Sequence, residues 1–335
     1  MSSAEPIVFY PKNSPTLHDY VALEHGNINN LDYIVVNWCV GNSCNFACSY
    51  CPTYLHDAST PWPEIDQVKR FCTHIIDTHP NKKIYFEFTG GEVTVWPHFL
   101  ELCIFLKQSG AFVGFISNGS RTRRWWEKAL GHFDHVCLSF HSEFAKPDHF
   151  REIVELISTH AQTHVNIMML PDRFDQCYEL AQSLLSIPDI SIGLQPLIVD
   201  LKDTLFAYTE EQSAILNNNY ELISKHIRRT KEHKSFVVRG VMAQVYSDDN
   251  KRIVPAHTLI TDSTNNWYGW KCYSGVEQIA VDMQGHVYIG WCIQDGPIGN
   301  IRDNNFQLPS KPVICKKTMC HCVFDIMSTK RLPND

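Results

Sequence analysis

The sequence has no apolar run of membrane-spanning length, and its first residues, Met1 to Tyr10, carry neither a basic stretch nor an apolar core. A membrane-spanning helix and a secretory signal are therefore not expected, and the cytosol is the expected compartment. Positive charge is in short supply: 29 lysines and arginines stand against 36 acidic residues, a formal charge of −7. The chain as a whole has no electrostatic drive toward nucleic-acid phosphates. No internal repeat or low-complexity tract is present, which argues against a solenoid or a disordered scaffold. The 335 residues, 44% hydrophobic and 19% charged, suit a globular enzyme of one large domain or one large and one small.

Cysteine, by contrast, is plentiful. There are 13, an odd number, and in a reducing compartment clustered cysteines point to metal rather than to disulfides. Three fall in the run Cys44-Asn45-Phe46-Ala47-Cys48-Ser49-Tyr50-Cys51. Thiolates this close can hold three corners of a cubane iron–sulfur cluster and leave the fourth iron open to a substrate or cofactor. A structural or electron-transfer cluster would more often be closed by a fourth cysteine. A zinc knuckle would want four ligands in paired arrangements; no pair follows, although His56 is near.

Short runs rich in Val, Ile, Phe and Tyr, at 33–38, 84–88, 112–117, 135–140, 164–170 and 190–197, alternate with helical patterns at 62–78, 97–109, 122–130, 147–160 and 174–185. Alternation of this kind implies βαβ units and a parallel sheet. The expected fold is α/β, a partial (βα)6 TIM-like barrel followed by a small C-terminal β-hairpin and a cysteine-rich extension. The expected division is a lead-in over 1–32, a barrel core over 33–200, a bridging helix within 201–240 and a C-terminal region over 241–335. The bridging helix is expected at 209–234, with Leu216, Tyr220, Ile223 and Ile227 as its apolar stripe. Functional groups of such folds collect at the C-terminal ends of the strands. The three-cysteine run follows the first strand, and Thr89-Gly90-Gly91-Glu92 ends the second.

The cysteine spacing, with Tyr50 before its last member, resembles the radical S-adenosylmethionine (radical SAM) superfamily. Gly90-Gly91-Glu92 resembles that family's GGE motif, with Val93 where Pro is commoner. The resemblance implies a [4Fe-4S] cluster on Cys44, Cys48 and Cys51, with SAM on the open iron and its methionine amino group met by Gly90, Gly91 and Glu92. It also implies a 5'-deoxyadenosyl radical that abstracts a hydrogen atom from the substrate. Glycines there are expected to let a ligand approach the backbone. Ser117-Asn118-Gly119 resembles the family's Thr-Asn-Gly and, with Ser139, is a candidate for SAM contact or for plain strand-end capping. His141 shares the parity of Ser139 and is a candidate contact with SAM or substrate, an acid/base near neutral pH, or a satisfied structural histidine. Cys137, also of that parity, is either a thiol hydrogen-atom donor or a core cysteine. Gln195 is a polar residue late in an apolar strand.

Five more cysteines, Cys272, Cys292, Cys315, Cys320 and Cys322, close the chain around a hairpin expected over 276–282 and 286–291. Their layout resembles the SPASM and twitch extensions, the shorter twitch version fitting five cysteines better. That resemblance implies a second, auxiliary [4Fe-4S] cluster; a structural zinc site is the alternative, and which four would ligate is left open by the spacing. Trp267, Tyr268 and Trp270 either wall the substrate pocket or fill a small core. Arg121 to Trp126, basic and aromatic, reads as the start of a helix, its tryptophans packed and its arginines solvated, ahead of a surface for a nucleic acid or an anionic substrate. Cys39, Cys72, Cys103 and Cys177 read as core or incidental.

The resemblance implies an oxidoreductase fed by an electron donor such as flavodoxin or ferredoxin. Few residues precede the first strand, which disfavours a peptide-recognition domain. The expected substrate is therefore a small sugar-like metabolite, oxidised or epimerised, with maturation of a ribosomally made peptide as the alternative. A non-catalytic iron–sulfur electron carrier is the alternative of another class.

Overall fold

The structure, a computed structural model, describes residues 16–199, 205–219, 221–223, 239–303 and 306–333. A short strand, β1 (Ala22–His25), comes first. Strands and helices then alternate: β2 (Tyr33–Cys39), α1 (Ile65–Thr78), β3 (Lys83–Thr89), α2 (Phe99–Gln108), β4 (Phe112–Ser117), α3 (Arg123–Ala129), β5 (His135–Phe140), α4 (Pro147–Ser158), β6 (Gln162–Met169), α5 (Phe174–Leu184) and β7 (Ile190–Pro196). Strands β2 to β7 pair in parallel in sequence order. Among the described residues β7 does not return to pair with β2, so the sheet is an open, partial barrel, as expected.

Period-two alternation sorts the strand residues between two environments. Val36 and Trp38 of β2, Phe86 and Phe88 of β3, Leu138 and Phe140 of β5, and Val165 and Ile167 of β6 face the helices in one continuous apolar core. Helix α1 meets it with Val68, Phe71, Cys72 and Ile75, the helical face legible in the sequence. The opposite parity carries Asn37, Glu87, Cys137, Ser139, Asn166 and Gln195. Cys72, Cys103 and Cys177 lie in the apolar core. Trp126 of α3 is buried there, stacked on Phe115, while Arg123 pairs with Glu127 and Glu152 at the surface.

The helix expected over 209–234 is shorter. It runs as α6 (Glu210–Asn218), opened by a capping box between Thr209 and Gln212, and gives way to β8 (Glu221–Ile223), antiparallel to β7. Asn217, Asn218 and Asn219 stand at the break, and asparagine side chains compete with helical backbone bonding. Of the expected stripe, Leu216 is buried in the main core; Tyr220 and Ile227 lie outside the described residues.

The last hundred residues hold β9 (Val241–Val245), β10 (Lys251–Pro255), α7 (Thr258–Thr261), β11 (Lys271–Cys272), β12 (Gln278–Val281), β13 (His286–Tyr288), β14 (Gly299–Asn300), β15 (Val313–Ile314), α8 (Val323–Ile326) and β16 (Lys330–Arg331). The expected hairpin is present as β12 and β13, its turn held by Asp282, whose Oδ1 accepts from the backbone N–H groups of Gln284 and His286. It does not stand apart from the barrel: β12 lies parallel beside β2, Gln278 opposite Val35 and Val281 opposite Trp38. The hairpin therefore widens the barrel sheet, in the order β14-β13-β12-β2-β3-β4-β5-β6-β7-β8. A second, antiparallel sheet has the order β10-β9-β1-β16-β11-β15. Its centre joins the two ends of the chain, β1 pairing with both β9 and β16. No helix of the described residues is long and apolar enough to cross a membrane.

Candidate functional site

The loop after β2 carries Cys44, Cys48 and Cys51 onto the rim of the barrel. Cys48 is 5% exposed, and it packs with Tyr50, Leu170 and Leu197. Burial pushes the thiols of Cys44 and Cys51 up, and that of Cys48 to about 12. Each of Cys44 and Cys48 is also raised by the charge of its neighbours in the trio. The loop is tied down from several sides. Glu143, beyond β5, accepts from the Ser49 backbone N–H at 2.7 Å and from its hydroxyl at 2.6 Å. Asn118 Nδ2 donates to Asn45 Oδ1 at 3.0 Å. His56 Nε2 lies 3.2 Å from the Cys51 carbonyl, so this histidine braces the loop.

Gly90 and Gly91 sit directly under that loop. The Gly91 N–H donates to the Gly41 carbonyl and the Glu92 N–H to the Ser43 carbonyl, both at 2.8 Å. A Cβ on Gly90, whose φ is +138°, would stand 2.3 Å from the Gly41 oxygen, and one on Gly91 would stand 2.2 Å from the Ser43 oxygen. What approaches the glycine backbone here is the cysteine loop itself, a partner the sequence reading had not assigned. Gly91→Ala forces a methyl group into backbone, not into a side chain that can rotate away. We expect it to cost about 2 kcal/mol or more, read as a lower urea midpoint, with less iron retained at the first site.

Glu92 is 1% exposed. Its Oε1 accepts from the Thr94 N–H, the Thr94 hydroxyl and the Ser117 hydroxyl, and its Oε2 accepts from the Asn118 N–H at 2.6 Å. Burial holds its carboxyl above the usual range against these donors. Glu92 thus knits the Gly-Gly turn to the end of β4. The Ser117 hydroxyl accepts from the Gly119 N–H and Asn118 Oδ1 from the Ser120 N–H, which completes the network.

Tyr50 OH lies 2.8 Å from His141 Nδ1. Burial pushes His141 down to about 4 and Tyr50 well up. At neutral pH His141 is uncharged. His135, deeper in the barrel and facing Tyr85 and His164, is likewise pushed to about 4 by burial. For both, the unfolded chain binds a proton first as pH falls below about 6.5. Their contribution to stability is complete above that pH and is lost on descent toward about 4. Glu92 and Asp325, raised by burial, act with the opposite sign. The test is therefore a difference: His135→Gln should flatten the fall in urea midpoint of the metal-free protein between pH 6.5 and 4.5 relative to the unchanged chain.

The barrel interior is polar. Asn37 Nδ2 donates to Glu87 Oε2 at 2.6 Å, Tyr85 OH lies 3.3 Å from Glu87 Oε1, and Asn166 Nδ2 donates to Cys137 Sγ at 3.1 Å. Burial, with the Glu87 charge adding, pushes the Cys137 thiol to about 12, against a hydrogen bond from Ser139. Cys137 is thus a protonated thiol at neutral pH. Sequence reasoning missed Asn37, Glu87 and Asn166, though their interior parity in otherwise apolar strands was the available signal.

At the C-terminal end, Cys272, Cys292, Cys315 and Cys320 line a single cavity, with Trp267, Asp325 and Lys330 among its other walls. Cys322 is not among them; it packs against Tyr33, Val35, Tyr85 and Phe324. Burial raises the thiols of Cys315 and Cys320, and that of Cys292 to about 11, with Cys272 among the charges that raise all three. Four thiols gathered in one cavity form a donor set suited to a thiolate-bound centre, which would deprotonate them. Among the described residues no group of His, Cys, Asp or Glu is arranged to hold a single metal ion. Trp267 and Trp270 fill the small core of the second sheet, and Trp267 walls the thiol cavity as well. Trp291 connects this end to the barrel: its Nε1 donates to Asn37 Oδ1 at 2.8 Å, and the Trp291 and Cys292 N–H groups both donate to the Asp325 carboxylate.

Residues 38–184 match the family model described as the radical SAM superfamily. No curated protein matches the sequence. Among solved structures, the chain is similar to SuiB from Streptococcus suis, at 10% identity and a TM-score of 0.48, covering 82% of this chain and 64% of that one. It thus spans a little under two thirds of SuiB. It is also similar to anSMEcpe, solved with AdoMet and the Cp18Cys peptide, at 14% identity and a TM-score of 0.46, covering 81% and 78% of the two chains. A further similar structure is BtrN in complex with AdoMet and 2-DOIA, at 13% identity and a TM-score of 0.39, covering 80% and 78%. The family match spans both the three-cysteine loop and the Gly90-Gly91-Glu92 turn, and this chain carries a domain of the radical SAM superfamily.

Proposed function

We propose that the protein is a radical SAM enzyme that abstracts a hydrogen atom from a small, polar, sugar-like substrate held in the barrel. Cys44, Cys48 and Cys51 would hold the [4Fe-4S] cluster, and the Gly90-Gly91 backbone, with Asn118 and Ser139, would frame SAM. One observation carries this reading: the cysteine loop and the Gly-Gly turn are bonded backbone to backbone, so the two halves of a cluster-and-methionine site form one rigid unit. Cluster and SAM, when bound, supply one-electron cleavage of the sulfonium and a 5'-deoxyadenosyl radical. The chain's own residues position and finish the reaction. Tyr50, paired with neutral His141, shields the cluster loop on its barrel side. Asn37, Glu87, Asn166 and Gln195 offer hydrogen bonds to hydroxyl groups.

Cys137 can close the reaction by returning a hydrogen atom: its S–H bond breaks, a C–H bond forms on the substrate radical, and a thiyl radical is left to be reduced. The four-cysteine cavity would hold the auxiliary cluster, on Cys272, Cys292, Cys315 and Cys320, that exchanges that electron. Trp291 links the cavity to the barrel wall. The external electron would come from a flavodoxin- or ferredoxin-type donor. The test is anaerobic reconstitution with SAM and a strong reductant. We expect 5'-deoxyadenosine; none formed with the cluster intact would instead mark an electron carrier. Turnover in D2O then separates outcomes: deuterium in the product, lost in Cys137→Ala, marks epimerisation, and unlabelled product marks oxidation.

A further inference from the structure

Lys330 on β16 is 1% exposed. Its ammonium donates to the carbonyls of Asp325, Ile326 and Ser328 at 2.8, 3.0 and 2.9 Å. It also lies 4.9 Å from the ring centre of Trp267. Among the described residues no carboxylate oxygen comes within ion-pair distance of it. Asp325 gives Lys330 its carbonyl as a hydrogen-bond acceptor. Its carboxylate, held by the Trp291 and Cys292 N–H groups, attracts Lys330 only from beyond ion-pair distance and compensates the ammonium in part. Lys330 acts in the same way on the thiols of Cys315 and Cys320. Capping the end of α8 accounts for the hydrogen bonds, because a lysine commonly meets the last carbonyls of a helix. It does not account for burying the charge. A helix end can be capped from the surface, whereas an ammonium withdrawn from water is costly unless an opposite charge compensates it. The same side chain lines the cavity of Cys272, Cys292, Cys315 and Cys320.

We propose that Lys330 is the fixed counter-charge of the four-cysteine centre and holds its reduction potential up. This rests on reading the cavity as an iron–sulfur site. A cubane with four thiolates is anionic when oxidised and more so when reduced, so a buried cation beside it favours the reduced form. Low dielectric makes the attraction stronger than at a surface. Lys330 is a positioning and tuning residue, since it touches no substrate.

The experiment compares Lys330→Met, Lys330→Gln and Lys330→Arg with the unchanged full-length chain after anaerobic reconstitution. Iron is counted, and each cluster's midpoint potential is followed by EPR during a redox titration. We expect Met and Gln to keep both clusters and to lower the potential of one. The reduced-to-oxidised ratio of that cluster at fixed potential should fall about tenfold or more, equivalent to about 59 mV for one electron. Arg should retain the original value, and the SAM-site cluster should not move. Both clusters present with unchanged potentials in Met and Gln would overturn the proposal. Should the neutral variants lose the second cluster, urea unfolding of metal-free protein decides. Metal-free Lys330→Met at least as stable as the metal-free unchanged chain supports a charge that needs the centre; a markedly less stable variant shows a helix cap alone and overturns it. An unchanged chain with only about four irons overturns the cluster reading itself, and the counter-charge with it.

Discussion

Cys48→Ala is expected to abolish formation of 5'-deoxyadenosine while the protein keeps its fold. The loss should exceed by far the roughly 10–100-fold that removal of an outer-shell partner costs a metal site. Cys48 is the middle member of the three-cysteine loop and the most buried of them. Its carbonyl accepts from the Cys51 N–H at 3.0 Å, a bond that alanine preserves. Only the sulfur is lost, and the hole left beside Tyr50, Leu170 and Leu197 is small, so the cost in stability should be about 1 kcal/mol. Cys39→Ala is the matched control: Cys39 ends β2, the strand from which the loop springs, its thiol is pushed to about 11 by burial, and it is outside the loop. Reconstituted Cys48→Ala should carry about four irons fewer than Cys39→Ala, with superimposable circular dichroism. Full iron content and full SAM cleavage in Cys48→Ala would remove the basis for the proposed function.

Much of the first site was legible because its information is local. The Cys44, Cys48 and Cys51 spacing lies within one loop, and the strand and helix periods of 33–197 are strong enough to place that loop at the end of a strand. What the sequence could not show is what the loop touches. The glycines at 90 and 91 look made for a ligand, but the backbone of Gly41 to Ser43 fills the space their missing side chains leave. Glu143 grips Ser49 from 94 residues away, and no local pattern announces that. His141 shows a different limit: its position was predictable from parity, whereas its neutrality depends on burial beside Tyr50. The C-terminal lobe was least legible, because its sheet is assembled from strands of two to five residues drawn from both ends of the chain. Two-residue strands have no readable period, and the pairing of β1 with β16 is a contact of sequence extremes. Lys330 is a single lysine in a polar tail by sequence, and only packing reveals that its charge is inside.

The five C-terminal cysteines give the second large expected effect, because the structure separates four from one. Alanine at Cys272, Cys292, Cys315 or Cys320 should each remove the second cluster, lowering iron from about eight to about four per chain, while SAM cleavage by the first site persists. Alanine at Cys322 should leave about eight irons. The reasoning is one of direction. The four line one cavity, approached from β11, from the segment after β13 and from the loop after β15. Cys322, although only two residues from Cys320, caps α8 and turns into the apolar cluster of Tyr33, Val35, Tyr85 and Phe324. On an extended segment, residues two apart share a side, so by alternation alone Cys320 and Cys322 should act together. The backbone defeats that expectation. The Cys320 N–H and carbonyl are both held by Asn265, and the Cys322 carbonyl opens the turn of α8 by accepting from the Ile326 N–H, so the chain bends between them. Cys322→Ala then costs only the packing of a half-buried sulfur, whereas Cys320→Ala costs the metal. Iron and acid-labile sulfide counts on the five variants, each with SAM cleavage measured in parallel, distinguish the two classes; loss of four irons in Cys322→Ala would transfer the ligand role to it and overturn the assignment of the cavity.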